Sequence, residues 1–131
     1  MGQAARAKAY RWDAMEKDQP MALLERRRII GELAMLSHVM LRKGCVVPTH
    51  SHENEQFACV LSGRMRFGIG DEGGKSSAAA GGDFETMVLE GGQVLHLPSR
   101  VPHTAEALED TVVLDVFCPP SATTGIDGRR G

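Results

Sequence analysis

The chain has 131 residues, 42% of them hydrophobic and only 5% aromatic, enough for a single domain with a modest core. Fifteen Lys and Arg against 17 Asp and Glu leave a net charge of −2, which excludes a nucleic-acid binder held by a basic face. No apolar run approaches the roughly 18 residues of a membrane span, and the opening MGQAARAKAYRW lacks the apolar stretch of a secretory signal.

The 15 Gly and 6 Pro favour many short elements joined by turns. Residues 1–24 read as a polar N-terminal arm closed by Pro20, in which Tyr10 and Trp12 alternate as in a short strand or a segment laid on a partner. Residues 13–24 are the one stretch that approaches a helical period. From residue 25 to 120 β-signals dominate, with strands expected over 26–31, 35–41, 56–61, 65–69, 84–89, 93–97 and 111–117. Ser62-Gly63 separates two of these as the tight turn of a hairpin. Residues 71–83 (DEGGKSSAAAGGD) read as an exposed loop, and 121–131 as a disordered tail. Short strands with turn signals every 8–12 residues, and gaps too short for helices between them, predict an all-β sandwich or barrel in one domain. Three cysteines without a CxxC pair fit a reducing, cytoplasmic setting better than a disulfide framework.

Four of the five histidines fall between residues 50 and 103. His50 and His52 stand two apart in extended chain, so their imidazoles share one face and suit a common metal ion. Glu55 and Gln56 open the next strand facing opposite ways, so one of them can reach that ion. His103 follows Pro98 and Pro102 in a strand able to close over the same interior. A surface or core pair of histidines is the bland account of HxH alone. The spacing of its neighbours changes that balance. Gly44, five residues, His50-x-His52, three residues, Gln56, six residues and Gly63 form one frame. Gly92, five residues, Pro98, four residues and His103 form a second.

On these two frames the sequence resembles the cupin superfamily, with the likeness spanning roughly residues 30–120. It departs from the general motifs at Gln56 (for Glu), Arg100 (for Gly) and Ala107 (for Asn). The form HSHxxEQxxxVLSG is similar to a subgroup of small single-domain cupins, and PHTAEALEDTVVLDVFCPP to those related to the pectin-degradation protein KdgF. There an Arg usually follows the paired prolines; here Ser121 does. The resemblance implies a double-stranded β-helix, or jelly-roll barrel, holding one divalent transition ion. Zn, Ni, Mn, Fe and Co all suit imidazole and oxygen ligands. The implied ligands are His50, His52, Gln56 and His103, and the implied pairing is a homodimer through a sheet face or an exchanged N-terminal strand.

Asp115 interrupts the apolar strand TVVLDVF on the face of Val113 and Phe117, either as part of an ion pair or hydrogen bond or as a cavity carboxylate. The resemblance favours the cavity, with Asp115 moving protons and Phe117 lining the pocket. His38, sharing a face with Leu36 and Met40, and Arg100, near the expected mouth, are further pocket candidates. Arg64 and Arg66 fit a solvated face, His96 and Cys59 point away from the metal, and Arg26-Arg27-Arg28 suits a solvated or edge strand. The expected function is an enzyme acting on a small anionic, sugar-acid-like compound, by resemblance the ring opening of an unsaturated uronate. A metal-dependent dioxygenase and a non-catalytic small-molecule-binding cupin are the alternatives.

Overall fold

The computed structural model describes residues 5–70 and 85–121; the loop expected over 71–83 and the tail 122–131 lie outside them. Ten strands run through the described residues: β1 (Asp18–Met21), β2 (Leu24–Ile30), β3 (Met35–Leu41), β4 (Val46–His50), β5 (Glu55–Ser62), β6 (Arg64–Ile69), β7 (Glu85–Glu90), β8 (Val94–Leu97), β9 (His103–Ala107) and β10 (Thr111–Cys118). Their alternating apolar residues pair into two antiparallel sheets, ordered β1-β2-β3-β10-β5-β8 and β4-β9-β6-β7, which face each other as a jelly-roll barrel. No helix among the described residues is long and apolar enough to cross a membrane.

Period-2 burial decides which side chains enter the barrel. Along β3, Met35, Ser37, Val39 and Leu41 are buried while Leu36, His38 and Met40 lie on the outer side. The register of β10 continues that inner surface: Phe117 stands opposite Met35 and Gln56, and Asp115 opposite Ser37 and Ala58. Val39, Val47, Val60, Met65, Phe67 and Leu97 fill the interior between the sheets. Each fully buried aliphatic or aromatic side chain of this kind contributes roughly 1.5–3 kcal/mol.

Three expectations change. The stretch 13–24 forms no α-helix; a 3-10 turn over Trp12–Ala14 is followed by β1, where Pro20 sits on the free edge of a sheet. The Ser62-Gly63 turn makes no hairpin, because both sides of β5 are already occupied by β10 and β8. The chain instead switches sheets there, and β6 pairs with β7 and β9. Gly63 makes the corner possible: its φ is +92°, and a Cβ would overlap Thr111 Oγ1 and the Asp110 carbonyl.

The third change concerns the arginine run. Alternation turns Arg26 inward, only 3% exposed, while Arg27 faces out. The Arg26 guanidinium holds Asp18 of β1 through Nε (3.1 and 3.2 Å) and Nη2 (2.9 Å), and Arg28 approaches the same carboxylate at 3.7 Å. Partial burial alone would raise the Asp18 carboxyl, but Arg26 and Arg28 outweigh it and hold it below its ordinary 3.8. A carboxyl lowered in the folded state adds stability above its unfolded value, and that stability is lost as pH falls through the folded value. Asp18→Asn therefore lowers the urea midpoint at pH 7, and the gap to the natural protein narrows as pH drops below about 4. A gap that stays constant with pH would remove the ion pair from this account.

Candidate metal centre and cavity

The three cavity histidines come from different kinds of backbone. His50 ends β4, His103 opens β9, and the two are direct cross-strand partners. His52 sits in the loop between β4 and β5, with no ladder of its own. One nitrogen from each ring lies within 4.8 Å of the others, a group that could hold a metal ion. In all three rings Nδ1 meets a main-chain carbonyl two residues away: Pro48 (2.9 Å), Asn54 (3.1 Å) and Val101 (2.9 Å) for His50, His52 and His103. A carbonyl only accepts, so Nδ1 carries the proton and Nε2 keeps its lone pair. Three lone pairs then converge, and His103 Nε2 is buried without a hydrogen-bond partner.

Burial favours the neutral form of the His52 and His103 rings. It pushes His103 down to about 3, with the neighbouring His50 adding to the effect, and it lowers His52 although the Asn54 carbonyl and Gln56 Oε1 would accept from the charged ring. Neutral imidazoles are the form that binds metal.

Gln56 points inward and Glu55 outward, as β5 alternation requires, and Glu55 meets His96 Nε2 at 2.6 Å on the outer side. Gln56 Nε2 donates to Asp115 Oδ1 at 2.9 Å, which turns Gln56 Oε1 toward His52 Nε2 at 3.2 Å. With the His52 proton on Nδ1, that contact joins two acceptors. A cation between them makes it favourable: ligand atoms about 2.1 Å from an ion at right angles stand about 3 Å apart. The donor set therefore fits a divalent ion.

Asp115 lies deep in the barrel, with part of its surface open to the cavity. Desolvation pushes its carboxyl up to about 7, only partly opposed by the Gln56 hydrogen bond. Phe117 lines the same cavity and meets the His52 ring edge-on at 5.6 Å. The cavity measures about 60 Å³, polar where His50, His103, Gln56 and Asp115 converge and apolar below. A larger groove, about 430 Å³, lies between Leu23, Glu25, Met40, Arg42 and Val112 and is lined by none of the histidines.

Two pocket candidates lie elsewhere. His38 keeps the expected company of Leu36 and Met40, but that face is the outer one, where its ring packs on Trp12 at 4.9 Å. Arg100 is exposed in the β8–β9 turn at φ +68°, outside the cavity lining, with its N–H bonded to the His52 carbonyl at 2.8 Å. Arg66 is on the outer side and pairs with Glu106 at 2.8 Å, while Cys59 also faces out. Sequence reasoning passed over Asn54, a turn residue with no periodicity to mark it, yet its side chain is 5% exposed.

The cupin domain profile matches residues 37–117, spanning both histidine frames. The chain belongs to the cupin family. Among solved structures this cupin is similar to KdgF from Halomonas sp. (TM-score 0.74, 22% identity, 89% of this chain and 97% of that one). It is also similar to an RmlC-like cupin from Shewanella frigidimarina (TM-score 0.73, 19% identity, 89% and 95%). Bacillus subtilis oxalate decarboxylase, described with Mn(II) centres, gives TM-score 0.75 at 21% identity over 94% of this chain and 32% of its own. At these identities the likeness is one of fold. No curated protein sequence matches.

Chelator-stripped protein should bind close to one Zn²⁺ or Mn²⁺ per chain. At a hundredfold excess over Kd the ion should add about 2.7 kcal/mol of stability, read as a rise in Tm. His103→Ala should abolish that rise; an unchanged rise would place the ion elsewhere.

Proposed function

We propose that this cupin is a metal-dependent enzyme acting on a small anionic, sugar-acid-like substrate, with ring opening of an unsaturated cyclic uronate to its linear keto form as the reaction. The observation that carries it is the Gln56 bridge, which joins the histidine group to a buried carboxylate in the same cavity. Fold likeness to KdgF supports the substrate class.

His50, His52, Gln56 and His103 would hold the ion. Three imidazoles and an amide oxygen cancel none of its charge, so when bound it supplies Lewis acidity and a seat for an anion. The choice of Gln over Glu at 56 matters for its neighbour. A carboxylate there would face Asp115, and two close carboxylates resist joint ionisation. An amide can offer its oxygen to a cation and its N–H₂ to Asp115, leaving that carboxylate able to take and return a proton. In the proposed step Asp115 accepts the hemiacetal hydroxyl proton as the ring C–O bond breaks. The enolate released is then protonated on carbon, with no net oxidation. Phe117, packed edge-on against His52, would shield that side of the cavity from water.

A cavity of about 60 Å³ holds on the order of two waters, so a six-carbon acid would engage the site from its mouth. Arg100, fastened to the His52 backbone, would meet the substrate carboxylate there in place of the arginine absent at Ser121.

Metal-loaded protein should consume unsaturated monouronate, followed by loss of its absorbance. Asp115→Asn should lower kcat by about 10²–10⁴ with metal content and Tm retained, and Arg100→Ala should raise KM. Full turnover by Asp115→Asn would sink the proton-transfer role. O₂ consumption by iron-loaded protein would assign a dioxygenase instead, and a bound small molecule without turnover would assign a binding protein.

We also propose that two copies pair through the outer face of the six-stranded sheet. Ile29, Leu36, Val116 and Phe57 form one apolar row across four adjoining strands, with Leu114 and Cys59 beside it. Light scattering should give twice the chain mass, and Val116→Lys half that value; a monomeric natural protein would reject the pairing.

A further inference from the structure

His52 is the one member of the histidine group that no strand holds, since β4 ends at His50 and β5 begins at Glu55. Its ring must nonetheless be aimed within a few tenths of an ångström for Nε2 to meet the same point as its partners. In the loop that carries it, Ser51 and Glu53 are exposed, whereas the Asn54 side chain is buried. A buried amide is costly unless hydrogen-bonded, and Asn54 Nδ2 donates to the Pro119 carbonyl just beyond the end of β10. The Asn54 main-chain carbonyl is the acceptor that holds the His52 Nδ1 proton. One residue thus grips β10 with its side chain and His52 with its backbone. The anchor is well chosen: β10 also carries Asp115, and Phe117, whose ring packs on His52.

We propose that Asn54 is a positioning residue, which sets the tautomer and aim of His52 by tying the ligand loop to the end of β10. This rests on reading His50, His52 and His103 as a metal centre. Removing the side-chain amide frees the loop from β10, so the Asn54 carbonyl drifts and the Nδ1 proton of His52 is no longer fixed. Partners that orient metal-bound histidines in this way are commonly worth 10–100-fold in metal affinity.

The test is a thermodynamic cycle. Zn²⁺ titrations of the natural protein, Asn54→Ala, His52→Ala and the double variant should show a 10–100-fold loss for Asn54→Ala when His52 is present. In the His52→Ala background the same change should cost less than about threefold, because a residue acting through His52 has nothing left to orient. Nitrogen-15 NMR of the metal-free protein should show His52 protonated at Nδ1, and a tautomer mixture in Asn54→Ala. If Asn54→Ala does not fold, Asn54→Asp, equal in size but unable to donate when ionised, serves in its place. Equal losses in both backgrounds with the tautomer unchanged would reduce Asn54 to a general structural role and overturn the proposal. Variants that bind as the natural protein does would overturn it alone. A natural protein that binds no Zn²⁺ would overturn the metal centre with it.

Discussion

Everything at this site depends on where three protons sit. Each cavity histidine gives its Nδ1 proton to a main-chain carbonyl two residues away, so each Nε2 presents a lone pair to one shared point. Mutual repulsion of lone pairs and burial of the orphaned His103 Nε2 are unfavourable without a cation. The rest of the barrel supplies what makes the arrangement tolerable. Cross-strand pairing of His50 with His103 sets two rings, and the Asn54 loop with Phe117 sets the third. An ion would thus meet preformed ligands with little reorganisation.

The Gln56–Asp115 contact extends this centre into the barrel. A side-chain amide accepts through its oxygen and donates through its nitrogen, so it can serve a cation and a carboxylate together. The strand order makes the meeting possible, because β10 runs between β3 and β5 and sets Phe117 opposite Gln56 with Asp115 one inward step deeper. On the proposed function, Gln56 then bears on the proton transfer assigned to that carboxylate. The same alternation explains the placement of Glu55, which turns outward to His96 and leaves the centre without a charged ligand.

Charge elsewhere is handled by pairing. Arg26 lies inside the sheet and is neutralised by Asp18, fastening the edge strand β1 to the barrel. The outer surfaces of the two sheets differ in character. On the four-stranded sheet Arg66 pairs with Glu106 in solvent, whereas on the six-stranded sheet one apolar row runs from Ile29 through Leu36 and Val116 to Phe57. Trp12 covers His38 on that second surface, so the N-terminal arm already touches the face where a second copy would sit.

Much was legible in the sequence because β-structure has a period of two. That rule alone opposed Glu55 to Gln56, turned Cys59 outward and put Asp115 beside Phe117, whereas His52 joins His50 from a loop beyond the end of its strand; spacing around Gly44, Gly63, Gly92 and Pro98 disclosed the family. What periodicity cannot say is which of two faces is the inside. His38 was grouped with the right neighbours on what proved to be the outer surface, and the inward turn of Arg26 was hidden for the same reason. Nor can it pair strands distant in sequence: the Ser62-Gly63 corner looks like a hairpin until β10 and β8 are seen to occupy both edges of β5. Asn54 belongs to a loop, where no repeat links residue type to direction, and its partner Pro119 lies 65 residues away. Residue order along the chain therefore carries the β architecture and the residue types able to form a metal site. Which faces close on each other is settled by folding in three dimensions, because burial is a property of two surfaces meeting and neither strand carries that information alone.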